Sequence, residues 1–259
     1  MTDPMRQFQQ QGIQVQVYAD KHQLGAAAAE FVAQTIRDAL STQGAARVIF
    51  ATGASQYEFL DALVQMNDVD WSRVTAFHLD EYLNLSIEHP ASFRRYLQER
   101  LFSKLPFAAV HMLDGTAADP QAECQRYTDL LRQGPVDLAC IGIGENGHLA
   151  FNDPPADFDT SALVQVVELD VACRQQQVGE GHFATFDDVP THALSLSVPA
   201  ILQAGVISCV VPDQRKAAAV QCALEGPVEP TCPASALQKH ADVQLFLDAQ
   251  SASALTTNR

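Results

Sequence analysis

The sequence predicts an α/β protein built on a mostly parallel sheet covered on both faces. Three observations carry that expectation. The runs Arg47–Ala51, Val136–Ile143 and Gly205–Val211 are predominantly apolar and of strand length, as strands buried on both sides are. Segments with apolar residues at helical spacing lie between the strands, and this alternation along the chain argues for helical crossovers. Polar, Gly- or Pro-containing sequence follows the apolar runs, where open α/β sheets place their ligands.

The elements follow in order. Residues 1–12 are polar and Gln-rich and are expected to fray. Ile13–Tyr18 alternates and reads as a strand at or near an edge. Lys21–Leu40 is an Ala-rich helix, Arg47–Ala51 a strand and Gln56–Met66 the next helix. Arg73–Leu79 is a strand ending on Asp80-Glu81-Tyr82, and Pro90–Phe102 a helix with Arg94, Arg95, Gln98 and Arg100 on its polar face. Pro120–Gln133 is helical and leads into the strand within Val136–Ile143. Leu163–Leu169 and Ala193–Val198 read as strands, with Asp170–Pro190 between them unassigned. A short helix from Pro199, the strand Gly205–Val211, the helix Gln214–Leu224 and the strand Val243–Leu247 complete the sheet. The expected organisation is one domain over 13–250, with 153–190 as a lid and 251–259 as a flexible tail.

The 259-residue chain, 47% hydrophobic, is long enough for an ample core. A formal net charge of -15 argues against nucleic acid or an anionic membrane as a partner. It does not exclude an anionic small substrate, because local charges decide that. The N-terminus shows no signal-peptide h-region, and no apolar run reaches membrane-spanning length. The six cysteines form no CxxC pair and several lie in apolar runs, so they read as reduced residues of a cytoplasmic protein.

Four segments carry chemistry. After the strand Val136–Ile143 come Glu145, Asn146, Gly147 and His148, then Asp153 five residues beyond the histidine. A histidine titrates near neutral pH, so this cluster can exchange protons; an ordinary Gly-rich loop with a solvated histidine would share its composition. Thr52-Gly53-Ala54-Ser55 opens a helix, where backbone N–H groups and hydroxyls can hold a phosphate. It lacks the Walker lysine and GxGxxG, so nucleotide binding gains little support. Asp80 and Glu81 are adjacent on an extended backbone and point opposite ways, leaving one to face a site and the other to pair or cap. Arg215-Lys216 opens a helix, where the dipole disfavours cations, which hints at a nearby anion.

The blocks FHLDEYLNL (77–85), HPASF (89–93) and GIGENGHLAFNDP (142–154) together resemble the glucosamine-6-phosphate deaminase family. ATGAS (51–55) resembles its phosphate loop, and QRKAAAVQCALEG (214–226) its lysine-bearing segment; the likeness runs in order from about residue 15 to residue 248. The resemblance implies a three-layer αβα sandwich with a Rossmann-like central sheet. It implies conversion of glucosamine 6-phosphate to fructose 6-phosphate and ammonia with no cofactor and no metal. In this reading Asp80 is the base at C2, and His148 opens the ring. Asp153, usually Glu in the family, and Asn146 complete the acid–base network. Thr52, Gly53, Ala54, Ser55 and Lys216 hold the phosphate.

One departure bears on the phosphate. The arginine expected before two aromatic residues is replaced by Gln177, with Arg174 one turn earlier, so either Arg174 reaches in, or the phosphate is bound more weakly, or the substrate differs. The loop after Asn152 lacks the basic residues of allosterically regulated members, which implies no such activation. A 6-phosphogluconolactonase-like hydrolase and a non-catalytic sugar-phosphate sensor are the alternatives; Tyr82 favours the deaminase over the first, and retention of Asp80 and His148 over the second. The implied partner is a phosphorylated amino sugar, and the oligomeric state, homo-oligomer included, is left open.

Overall fold

The computed structural model describes residues 3–256 except 180 and 182. Its frame is an eight-stranded sheet. The strands are β1 (Arg6–Gln10), β2 (Ile13–Tyr18), β3 (Ala46–Phe50), β4 (Val74–His78), β6 (Ala109–His111), β7 (Leu138–Ile141), β10 (Val206–Val211) and β11 (Val243–Asp248). Their order across the sheet is β1-β2-β11-β10-β7-β3-β4-β6. Every neighbouring pair is parallel except β1 with β2. Successive strands step outward in one direction through β3, β4 and β6 and in the other through β7, β10 and β11. The reversal between β3 and β7 opens a crevice at their carboxyl ends, the usual ligand position in such sheets.

Helices cover both faces, as the doubly buried strands require. Helix α1 (Lys21–Gln43) is capped by the Asp20 carboxylate, which accepts from the backbone N–H groups of His22 and Gln23, and it ends at Gly44 in the left-handed region. With α2 (Tyr57–Leu63) and α3 (Phe93–Leu97) it packs on one face through Val32, Ile36, Phe59, Leu60 and Leu97, against Val48, Phe50 and Cys140 of the sheet. Helices α4 (Pro120–Leu131), α6 (Val198–Ile201) and α7 (Ala217–Glu225) cover the other face against Ile49, Phe77, Ile141 and Cys209. Among the described residues no helix is long and apolar enough to cross a membrane.

Several expectations need correction. Arg6–Gln10 does not fray: it pairs antiparallel with β2, and Phe8, opposite Val15, packs on the core. Residues 251–256 are not a loose tail, because Ser251, Ala252 and Leu255 are buried; 257–259 lie outside the described residues. The strands do not all join one sheet. β5 (Asp80–Tyr82), β8 (Val164–Glu168) and β9 (His192–Leu196) form a separate antiparallel sheet of order β5-β9-β8. Arg94 is not on a solvated face; it is buried and pairs with Glu81 at 3.3 Å and Asp114 at 2.7 Å. Cys222 and Cys232 are joined as a disulfide, with Cα atoms 6.5 Å apart, where α7 and the following loop meet. The unassigned stretch contains α5 (Val171–Gly179) and a turn at Phe186–Asp188.

Candidate active site

Four strand ends of the main sheet converge on one cleft. The segment after β3 contributes Thr52, Gly53, Ala54 and Ser55; that after β4 contributes Leu79 and Asp80; that after β7 contributes Gly142, Gly144 and His148; that after β10 contributes Asp213, Arg215 and Lys216. Gln177 of α5 reaches in from above. Residues more than 150 positions apart in the chain thus face one space because their strands lie side by side.

Asp80 and Glu81 show what alternation does with two adjacent carboxylates. Asp80 faces the cleft with its Oδ1 buried and without a hydrogen-bond partner. Burial, and secondarily the neighbouring Glu81 charge, push its carboxyl up to about 8. Glu81 turns the other way and takes the N-terminus of α3. It accepts from the backbone N–H groups of Tyr82 (2.9 Å), Phe93 (3.1 Å) and Arg94 (2.8 Å) and from Ser92 Oγ (2.8 Å). Burial raises the Glu81 carboxyl too, and these hydrogen bonds oppose the rise.

His148 is fixed by its own loop. The Gly144 N–H donates to the His148 carbonyl at 3.0 Å, and the His148 N–H donates to Asn146 Oδ1 at 3.0 Å. Its Nδ1 lies 3.1 Å from Asp153 Oδ1, which also accepts from Asn146 Nδ2 at 3.0 Å. Burial raises the Asp153 carboxyl, but the hydrogen bond and charge of His148 and the hydrogen bond from Asn146 outweigh it and hold the group below its ordinary value. The imidazole lies over Gly144, where a Cβ would come within 2.2 Å of Nε2, so no larger residue fits. Asn146 and Asp153 stand behind the histidine and do not line the cleft, so they position it.

The Thr52–Ser55 loop is held differently. Gly53 sits at φ 98, which favours glycine, and its carbonyl accepts from the Gln56 N–H and from Tyr96 Oη, each within 3.0 Å. The first N–H groups of the helical turn beginning at Ala54 have no acceptor within that turn and are available to a ligand. Lys216 is buried and lines the same cleft. Beside it Arg215 pairs with Glu145 at 3.0 Å.

Arg174 does not reach the cleft, which corrects its place as a phosphate ligand. Its Nη2 donates to the carbonyls of Phe186 (2.8 Å) and Val189 (2.9 Å), and its guanidinium stacks on the Phe186 ring at 4.0 Å. That turn offers two carbonyls to Nη2 and an aromatic face to the guanidinium plane, while Nε is left buried without a hydrogen-bond partner. Gln177 lines the cleft instead, and its Oε1 accepts from Tyr82 Oη at 2.6 Å.

Phe93, Phe151, Ala150 and Asp213 are among the cleft residues that sequence reasoning did not single out. Phe93 and Phe151 form the apolar floor of the cleft, stacked 7° from parallel. Ala150 and Asp213 line it with φ 52 and φ 82. Such conformations are uncommon for residues other than glycine and gather at functional sites. Nothing in the composition around Ala150 or Asp213 signals them. Arg215, which the sequence pairs with Lys216 as a hint of a nearby anion, does line the cleft.

An unpartnered carboxylate, an oriented imidazole and an anion-ready loop at the carboxyl edge of a parallel sheet define a small-molecule enzyme of the α/β class. Residues 19–246 match the family of glucosamine-6-phosphate isomerases/6-phosphogluconolactonase, and the chain belongs to it. The chain is 42% identical over 203 residues to a glucosamine-6-phosphate deaminase of an Exiguobacterium species, covering 78% of each. It is 39% identical over 212 residues to the glucosamine-6-phosphate deaminase of Streptococcus pneumoniae, covering 82% of this chain and 89% of the relative. Among solved structures, a monomeric glucosamine-6-phosphate deaminase superposes with a TM-score of 0.87 at 31% identity, over 93% of this chain and 99% of that one. A 6-phosphogluconolactonase from Shewanella baltica superposes with a TM-score of 0.76 at 20% identity, over 91% and 97%, a likeness of fold.

Proposed function

We propose that the protein is a glucosamine-6-phosphate deaminase, converting glucosamine 6-phosphate and water to fructose 6-phosphate and ammonia. The observation that carries the reading is the pairing, in one cleft, of a buried unpartnered carboxylate with a carboxylate-oriented histidine. A pyranose must open before its C2 proton becomes acidic. His148, held through Nδ1 by Asp153, takes the anomeric hydroxyl proton and returns one to the ring oxygen. Asp80 then takes the C2 proton, giving an enolamine, and delivers a proton to C1. The product is an imine at C2, which water hydrolyses to ketone and ammonia. A carboxylate shielded from water suits the second step, since limited hydration strengthens it as a base.

The phosphate rests on the N–H groups and hydroxyls of Thr52–Ser55, with Lys216 supplying the charge. Gln177 stands where the family resemblance implies an arginine, so Lys216 and the loop carry phosphate recognition. The segment with α5 acts as a lid that presents Gln177 to the cleft. A phosphorylated sugar is charged and does not cross membranes unaided, which supports a cytoplasmic location.

Ammonia release from glucosamine 6-phosphate, galactosamine 6-phosphate and unphosphorylated glucosamine tests the reading, with 6-phosphogluconolactone hydrolysis in parallel. Release from the first alone is the expected result. Silence on all three amino sugars with lactone hydrolysis present would overturn it.

A further inference from the structure

We infer that His148, Asp153 and Cys173 form a binding site for a borderline-soft divalent metal such as Zn²⁺, and that its occupation switches the protein off. Cys173 lies on α5, buried, and has no part in the chemistry proposed above. Its Sγ, His148 Nδ1 and a carboxylate oxygen of Asp153 all lie within 4.8 Å of one another.

The geometry is close to that of a tetrahedral site. Ligand bonds of about 2.0 Å to nitrogen and oxygen set those two atoms about 3.3 Å apart, and a bond of about 2.3 Å to sulfur sets it about 3.6 Å from either. His148 Nδ1 and Asp153 Oδ1 are already 3.1 Å apart. The separations to Cys173 Sγ, none above 4.8 Å, must close by at most about 1 Å. A second observation points to a ligand: Asp153 Oδ2 is buried without a well-formed hydrogen bond, although the carboxylate lies within reach of the Cys173 thiol and the Asp170 backbone N–H. The donor set also selects among metals. Thiolate with imidazole and one carboxylate suits Zn²⁺ or Co²⁺, whereas Mg²⁺ and Ca²⁺ prefer oxygen alone. His148 borders the cleft, so a water from that side can fill the fourth position.

Binding releases the Cys173 thiol proton to solvent, and the imidazole proton moves from Nδ1 to Nε2. A histidine with metal on Nδ1 and hydrogen on Nε2 accepts no further proton, so ring opening stops. This inhibitory consequence rests on the deaminase reading; the binding itself does not.

The test uses the whole purified protein and two readouts. Co²⁺ added to the chelator-treated protein is expected to give a thiolate-to-cobalt charge-transfer band in the near-ultraviolet. Zn²⁺ is expected to abolish both that band and ammonia release, reversibly with chelator. In Cys173→Ala the band disappears and the Zn²⁺ concentration for half inhibition rises about tenfold or more, while turnover without metal stays within about twofold. Cys173→Ser, closer in size, serves if the alanine variant folds poorly, since it too removes the thiolate. A band that survives in these variants would overturn the inference. If the protein released no ammonia at all, the cobalt band would still decide the site.

Discussion

Two loops leave neighbouring strands, β7 and β3, at the same edge of the sheet and follow opposite plans. The loop after β7 spends its polar groups on itself. Asn146, His148 and Asp153 bind one another, and the Gly144 N–H closes on the His148 carbonyl. The loop after β3 keeps donors free and is steadied from outside, by Tyr96 on the Gly53 carbonyl. The difference teaches a division of labour. Groups that move protons must be fixed to within a fraction of an ångström, whereas a group that receives an anion needs unspent donors.

If that division is right, damage to the two loops must read out in different constants. His148→Asn removes the proton carrier and should lower kcat by about a hundred- to ten-thousand-fold with little change in KM; an equal rise in KM would dissolve the contrast. The acid limb of kcat/KM should follow Asp80. Its carboxyl is pushed up to about 8, so the ionised base is lost as pH falls below that value, about tenfold per pH unit. A profile flat from pH 6 to 9 would separate Asp80 from the chemistry. Lys216→Ala should raise KM about ten- to a hundredfold and leave kcat nearly unchanged, as a residue that holds the substrate throughout would. The smallest effect is expected from Arg174→Ala, which loses two hydrogen bonds to carbonyls and a stacked ring. Stability should fall by about 1–3 kcal/mol in urea melts, with both kinetic constants intact. A raised KM there would return Arg174 to the phosphate site.

The sequence made the frame of this arrangement legible. Predominantly apolar runs marked β3, β7 and β10 as interior strands, and the polar segments after them all border the cleft. Period-two alternation was enough to send Asp80 and Glu81 opposite ways. What stayed hidden depends on pairing across long separations. Asp80–Tyr82 is too short to read as a strand alone and exists as one because Ala193–Ser195 runs beside it. Arg94 reads as a solvated helix residue until Glu81 and Asp114 are brought around it. Arg174 and Gln177 share a helix, and only the Phe186–Val189 turn decides that the arginine faces away. The polar strand Arg6–Gln10 likewise owes its order to β2 rather than to its own preference.

Asp80→Asn tests the central claim most directly, because it removes one proton-accepting group and keeps the shape. Ammonia release from glucosamine 6-phosphate and binding of the same sugar should be measured on one preparation, with thermal melts at pH 5 and pH 9. Because the folded value lies above the unfolded one near 3.8, burial of Asp80 favours the protonated fold, and that advantage is lost as pH rises through about 8. The asparagine variant should therefore melt above the parent at pH 9, relative to their difference at pH 5. It should bind the sugar with affinity within about tenfold of the parent and release ammonia about a thousandfold more slowly. A variant that binds the sugar and turns it over at the parental rate would contradict the assignment of Asp80 as the base.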